Sequence, residues 1–225
     1  MELYLNNAWK RIGISISGGA DSALLAYHVA NNTSAEIILT NQIRCWKTRP
    51  WQEHVADTVI KWLMNNFDNI TTIERSFIPP EMEEPHTTYI KDEYEKLKSG
   101  NRIILRAFNE YIAHKYKLDA WYNGVTKTPP VKFEGALSER DEGVLPLTMK
   151  HMGVDIIHPF VYTSKDKIIK EYYQEGIVEL LNLTRSCEGE FEGLDYNTYT
   201  PGDVVPECGK CFWCKEREWA IEQNK

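Results

Sequence analysis

Two groups of residues in this chain have types and spacings suited to chemistry. The first is Ser17-Gly18-Gly19-Ala20-Asp21-Ser22, which follows an apolar stretch carrying Ile12, Ile14 and Ile16 and precedes Ala23, Leu24, Ala26, Tyr27 and Ala30 at helical spacing. Adjacent glycines let backbone approach a ligand closely. A helix that starts there turns its free N–H groups and positive dipole end back on the loop, which makes an anion site. Ser17 and Ser22 add hydroxyl groups. Asp21 suits an anion cradle only if it helps hold a divalent cation that bridges to phosphate oxygens. Together the six residues suit a pyrophosphate bound with Mg2+. The chain has no G-x-x-x-x-G-K-[ST] and no G-x-G-x-x-G, which excludes a Walker-type loop and argues against a dinucleotide fold.

The second group is Cys208-Gly209-Lys210-Cys211-Phe212-Trp213-Cys214, with Cys187 upstream. Four thiolates meet the tetrahedral demand of Zn2+, and four protein ligands leave no open position, so such a metal is structural. A [4Fe–4S] cluster competes, because C-x2-C-x2-C is also an iron–sulfur run. Lys215-Glu216-Arg217 follows where a ferredoxin run continues to another cysteine and a proline, which favours zinc. The fifth cysteine, Cys45, has no His or Asp partner assignable from spacing and reads as a packed thiol. The six histidines show no ligand spacing among themselves.

The elements that must position these groups can be read from periodicity. Residues 11–17, 36–40, 70–77, 119–125 and 155–159 read as five strands, and 52–67 and 101–116 read as helices. Val55, Val59, Trp62 and Leu63 share one face of the first helix; Ile104, Ala107, Phe108, Tyr111 and Ile112 share one face of the second. Thr163 and Asp166 have the spacing of a capping box ahead of a helix over 165–174. Strands alternating with helices predict an α/β fold, with a five-stranded parallel sheet sandwiched by helices. The acidic stretch 81–95 is expected to be an exposed excursion. The long irregular segment holding Pro129, Pro130 and Gly135 is expected to be a functional loop. The organisation expected is a 1–183 domain and a 184–225 cysteine-bearing segment that fits no strand–helix unit.

Composition narrows the partners. Of 225 residues, 26 are Lys or Arg and 33 Asp or Glu, a formal net charge of −7, and 42% are hydrophobic. Nucleic-acid binders draw most of their affinity from basic excess, so this balance argues for a small-molecule partner. No stretch reaches the length of a membrane span, and Met1-Glu2-Leu3-Tyr4 lacks the basic start of a signal peptide. Two-residue cysteine spacers then predict a reducing, cytoplasmic setting. A homodimer is compatible with the sequence.

Residues 17–22 resemble the S-G-G-x-D-S loop of the PP-loop ATP pyrophosphatases. That superfamily binds ATP on a five-stranded parallel sheet and cleaves it between the α and β phosphates. The resemblance implies that Ser17, Gly18, Gly19, Ala20, Asp21, Ser22 and Gly124 hold ATP. Thr184-Arg185-Ser186-Cys187, the later Cys208-Gly209-Lys210-Cys211-Phe212-Trp213-Cys214 and Arg217 are similar to the C-terminal T-x-S-C and C-G-x-C-x-x-C-x-x-R strings of the 7-cyano-7-deazaguanine synthase family, which bind structural zinc. His158-Pro159 and Lys165 match that family's passage from strand to helix, which implies that Lys165 reaches a phosphate. The middle of the chain departs from the family. Asn41-Gln42-Ile43-Arg44-Cys45 stands where a Gly-Gln-Arg-His-like string faces the base, and Lys127-Thr128-Pro129-Pro130-Val131-Lys132 replaces a Tyr-Pro-Asp-containing loop.

The resemblance therefore implies an ATP-dependent ligase that adenylates the carboxylate of a deazapurine and displaces AMP with ammonia to give an amide or nitrile. Asp21, Ser22 and Lys165 are the candidate catalytic residues, and Gln42, Arg44, Lys127 and Lys132 the candidate substrate-binding residues. Arg44 and Lys47 follow the second strand, and Lys127 and Lys132 follow the fourth, where ligands gather outside the carboxyl ends of parallel strands. Trp46, Trp51, Trp62 and Trp121 could stack on a base, although packing is the commoner use of tryptophan. Two alternatives stay open: a PP-loop enzyme that modifies tRNA through the same adenylate, and a module that holds ATP without turnover.

Overall fold

A computed structural model describes residues 3–43, 51–77, 100–133, 145–188 and 207–225, with backbone alone for 100–106. The elements are β1 (Arg11–Ser15), α1 (Ala20–Asn32), β2 (Glu36–Ile43), α2 (Gln52–Asn66), β3 (Ile70–Phe77), α3 (Gly100–Tyr116), β4 (Ala120–Tyr122), β5 (Thr148–His151), β6 (Val154–Ile157), α4 (Lys165–Gln174), α5 (Val178–Leu183) and α6 (Phe212–Glu222). The acidic stretch 81–95, Arg44, Cys45, Trp46, Lys47 and Gly135 lie outside the described residues.

Among the described residues the sheet has six strands in the order β3-β2-β1-β4-β6-β5. All neighbours pair in parallel except β5 and β6. The expectation of five strands is corrected by one. β5 is a short antiparallel edge strand, joined to β6 through Met152 (φ 49°) and Gly153 (φ 83°). Positive φ at both turn positions gives the twist that a two-residue hairpin needs. Thr148-Met149-Lys150-His151 lies largely exposed, so it lacks the alternation that marks a half-buried strand.

Parallel strands covered on both faces are buried along most of their length, as β1 and β2 are, with apolar Ile12, Ile14, Ile37, Ile38 and Leu39 followed in β2 by buried polar Thr40, Asn41 and Gln42. Ile12, Ile14, Ile37 and Leu39 face the larger core with α1, α2, α4 and α5. On the opposite face Ile38 and Trp121 join Ile112 of α3, Leu118 and Val154 in a second core. Gly13 is required there, because a Cβ would come within 2.6 Å of both Leu118 and Trp121. Tyr111 of α3 is 60% exposed and Ala107 is exposed, so the apolar side expected of this helix narrows to Phe108 and Ile112 among the described side chains. The chain moves from β1 through β2 to β3 on one side of β1, then returns to β4 on the other. Right-handed crossovers then place α3 on the face opposite α1 and α2. The reversal of strand order opens a crevice between the carboxyl ends of β1 and β4, where ligands collect in such sheets.

The helix start near 165 also differs in detail from expectation. Ser164, not Thr163, is the N-cap of α4, and its Oγ donates to Asp166 Oδ1 (2.5 Å). The box does not close, because the carboxylate is engaged by the cap hydroxyl itself. The cysteine-bearing tail contains a helix after all. In α6, Ala220 enters the main core, while Asn224 Nδ2 just beyond the helix donates to Asp166 O (2.8 Å).

Candidate functional site: a phosphate-type loop and a four-cysteine cluster

Loop 16–19 leaves the sheet beside β1 and enters α1 through Gly19, an N-cap with no side chain. The first bond into the helix is Ala23 N–H to Gly19 O (3.1 Å). The preceding N–H groups of the first turn have no place in the helical ladder and face outward, as at any helix start. The serine hydroxyls close the loop on itself. Ser22 Oγ lies 3.1 Å from Ser17 Oγ, donates to Gly19 O (3.1 Å) and accepts from Ser17 N–H (3.1 Å), and Gly19 N–H donates to Ser17 Oγ (3.2 Å). These hydrogen bonds hold the shape of the loop.

Neighbouring elements press close. Gly18 has φ 82°, and a Cβ there would come within 3.0 Å of Ala56 N in α2. Its carbonyl accepts from Arg185 N–H (2.9 Å). Gly124, just past β4, lies so near that a Cβ would stand 3.0 Å from Ser22 N and 3.1 Å from the Asp21 carbonyl carbon. From α4, buried Tyr172 donates to Ala20 O (2.6 Å), and burial holds its hydroxyl protonated far above the usual phenol range.

Asp21 and Lys165 meet here although 144 positions separate them. Lys165 is 1% exposed, and its Nζ lies 2.5 Å from Asp21 Oδ2. Asp21 Oδ1 is buried with no hydrogen-bond partner among the described residues. An orphaned carboxylate oxygen is costly. A hard cation at this oxygen removes that cost, so the residues present fit a cation-bridged polyphosphate.

The other candidates scatter. Gln42 lies on β2, and its carbonyl accepts from Gln52 Nε2 (2.9 Å). Lys127 is exposed and is held by its backbone N–H to Thr163 O (3.0 Å). Lys132 is exposed beside α6 and shares a surface depression with Lys215 and Glu218, away from loop 17–22; the neighbouring Phe133 packs on Phe212 and Trp219. Trp51 is buried, donates from Nε1 to Cys187 O (3.1 Å) and carries the Arg185 guanidinium over its ring at 5.4 Å. Sequence reasoning passed over Tyr172 and the backbone of Arg185 as supports of the loop. Neither has a signal short of the fold, because each acts across more than 150 positions.

The sulfurs of Cys187, Cys208, Cys211 and Cys214 all lie within 4.8 Å of one another. Cys211 caps α6, which sets Cys214 one turn on. Backbone N–H groups point at the sulfurs: Cys208 N to Cys187 Sγ (3.4 Å), Cys211 N to Cys208 Sγ (3.3 Å) and Glu188 N to Cys211 Sγ (3.4 Å). Hydrogen bonding to Cys187 pushes the Cys211 thiol up to about 11, and bonding to Cys187 and Cys211 pushes Cys214 up further. A bound metal reverses this by taking the thiolates. Four converging sulfurs with donated N–H groups fit a metal site. Arg217 ties it inward, donating to Thr184 Oγ1 (2.8 Å) and Leu181 O (2.9 Å).

No family model matches the sequence, and no curated protein matches it. Several solved structures resemble its shape, these three among them. A phosphoadenylyl-sulfate (PAPS) reductase from Candida auris, in a phosphate complex, aligns over 85% of this chain and 84% of its own at 10% identity, with a TM-score of 0.46. The U34-tRNA thiolase NcsA from Methanococcus maripaludis, with its [4Fe-4S] cluster, aligns over 84% and 62% at 16% identity and 0.47. An NAD+ synthetase from Burkholderia pseudomallei aligns over 96% and 80% at 10% identity and 0.42. At these scores the likenesses carry no argument about chemistry. What the structure itself defines is an α/β protein with a mostly parallel sheet, a glycine-rich loop at its topological switch point and a four-cysteine cluster able to hold a metal.

Proposed function

We propose that the chain is an ATP-dependent carbon–nitrogen ligase of the PP-loop type. It adenylates the carboxylate of a 7-deazaguanine-type acceptor and converts it with ammonia to an amide or nitrile. The observation that carries this reading is the unpaired, buried Asp21 Oδ1 beside the open first turn of α1. It favours a ligand that is both anionic and cation-bridged, as the triphosphate of ATP is. The deazaguanine class rests on the similarity of the C-terminal strings and of Lys165.

In the first step a carboxylate oxygen of the acceptor attacks the α-phosphorus. The bond from that phosphorus to the bridging oxygen breaks, and pyrophosphate leaves with the electron pair. Ammonia then attacks the acyl carbon and expels AMP, leaving an amide and a proton. A second ATP can activate the amide oxygen in the same way; loss of AMP and protons gives the nitrile. N–H groups at the start of α1 hold the leaving pyrophosphate without reorganising during the reaction. Lys165 fixes the Asp21 carboxylate through one oxygen and leaves the other for a cation. Mg2+ bound there supplies charge neutralisation on the phosphates. Cys187, Cys208, Cys211 and Cys214 would hold Zn2+, which fastens the tail and takes no part in the reaction.

Incubation with ATP, ammonium and 7-carboxy-7-deazaguanine tests the reading. AMP and pyrophosphate are the expected products. Asp21→Asn should lower their formation by roughly 100-fold, a loss typical of removing one transition-state contact, and should also lower the thermal midpoint by leaving buried Lys165 with a neutral partner. Ser22→Ala, which removes three hydrogen bonds of the loop, should lower both as well. ADP and phosphate, or undiminished turnover in Asp21→Asn, overturns it.

A further inference from the structure

A cavity of about 850 Å³ opens on the sheet face opposite α1, between α3 and the β5–β6 hairpin. That volume falls within the range of small-molecule sites, ~300–1,000 Å³. Its walls are mainly apolar: Trp121 and Ile156 from the sheet, Leu118 and Ala113 from the α3 side, Met149 from β5. Ser15, Asn123 and His158 line the end near the carboxyl ends of the strands, and Glu110, His114, Lys117 and His151 line the α3 and β5 side. Asn123 immediately precedes Gly124, which rests on Asp21 and Ser22, so this end of the cavity adjoins loop 17–22.

The hydrogen bonds fix what that end offers. Trp121 Nε1–H donates to Ser15 Oγ (3.0 Å) and to Asn123 Oδ1 (3.3 Å), and Ser15 Oγ donates to Asn123 Oδ1 (3.1 Å). Indole is a donor only, so the amide must turn its oxygen to Trp121 and its NH2 away. His158 lies 4% exposed, with Nδ1 2.9 Å from Pro146 O. Burial lowers its pKa, so the ring is neutral near neutral pH. A carbonyl only accepts, so the proton sits on Nδ1 and Nε2 is left as an acceptor. The two residues adjoin across the β4–β6 pair, where Asn123 N–H donates to Ile157 O (3.0 Å). A slot with mainly apolar walls thus carries, at neighbouring strand ends, an amide NH2 as donor and a ring nitrogen as acceptor.

We propose that this cavity is the acceptor site and takes a flat bicyclic heteroaromatic lactam, whose carbonyl oxygen receives the Asn123 amide N–H and whose ring N–H donates to His158 Nε2. The acceptor role rests on the adenylation reading above. It deepens that reading, because the 7-substituent of a deazaguanine lies beside its lactam oxygen; an edge held at Asn123 turns the carboxyl toward loop 17–22.

The test is calorimetric titration of the full chain with quinazolin-4-one and with quinazoline, which lacks the lactam. Two hydrogen bonds of about 1 kcal/mol each predict that the lactam binds roughly 30-fold more tightly. Asn123→Leu should bring the two ligands to within about threefold, since it leaves less than one net hydrogen bond between them. Ala113→Trp, which fills the slot from the α3 side, should abolish binding of both; the thermal midpoint verifies that each variant is folded. Equal affinities in the wild type, no binding of the lactam at millimolar concentration, or binding that survives Ala113→Trp overturns the proposal. ATP binding, titrated separately, keeps the two readings apart. ATP bound without the lactam result defeats the cavity and spares the loop, and the lactam result without ATP binding defeats the acceptor role.

Discussion

Gly124 is where a single atom decides most. Its missing Cβ lets the segment after β4 rest on the first turn of α1, and the atoms it would strike, Ser22 N and the Asp21 carbonyl carbon, are backbone and cannot swing aside. Gly124→Ala should therefore displace the first turn and weaken ATP cleavage at least about tenfold, at a stability cost of about 1–3 kcal/mol for overpacking. Steady-state kinetics beside thermal melts separates the two effects; unchanged turnover would show that the loop is not pressed by β4. The same scale explains the Asp21–Lys165 pair. A buried lysine is tolerated only with a partner, and the partner's second oxygen is what remains for chemistry.

At the scale of elements, α4 and the tail act as clamps on the loop. Tyr172 and Lys165 reach it from α4, and the Arg185 backbone reaches it from the segment leading to Cys187. The cysteine cluster closes that segment onto α6, whose Arg217 returns to the end of α5. A metal held by the four cysteines would add folding energy to the tail and, through Arg185, to the shape of Gly18. Metal analysis should find about one zinc per chain and no iron–sulfur absorption. Cys211→Ser should lower the thermal midpoint by more than about 5 °C, since each kcal/mol is worth about 2–4 °C in a chain this size. Iron in a brown anaerobic preparation would reverse the choice of metal and favour the tRNA-modifying alternative.

Across the described residues, two buried histidines make stability depend on pH in mild acid. Burial lowers the pKa of His28, although Glu171 (3.7 Å) opposes the shift, and burial likewise lowers that of His158. Each binds a proton more readily unfolded, where its pKa is about 6.5. Their contribution is therefore complete above about pH 6.5 and is lost as pH falls toward the folded values. Thermal midpoints should decline below about pH 6.5, and the double variant His28→Phe, His158→Phe should flatten that limb. An unchanged slope would place the acid sensitivity elsewhere. Among the described residues, no helix is long and apolar enough to cross a membrane.

The sequence by itself determined what is local. Ile12, Ile14 and Ile16 before a double glycine specify a buried strand turning into a helix, and three cysteines at two-residue spacers specify a sulfur cluster, because both depend on neighbours a few positions apart. The inner parallel strands β1 and β2 were legible for the same reason, through the buried runs 12–14 and 37–39. Only the tertiary structure decided the rest. The Thr148–His151 strand is exposed and carries no periodic signal, so its partner β6 makes it a strand. The serine hydroxyls were read as ligands because their types allow it, and only the fold shows that they also bond each other across the loop. Lys165 could be suspected, but its pairing with Asp21 spans 144 positions. The donor–acceptor end of the cavity joins Ser15, Asn123 and His158 from three strand ends. Chain topology alone brings them together, and no spacing along the sequence encodes which way an amide turns.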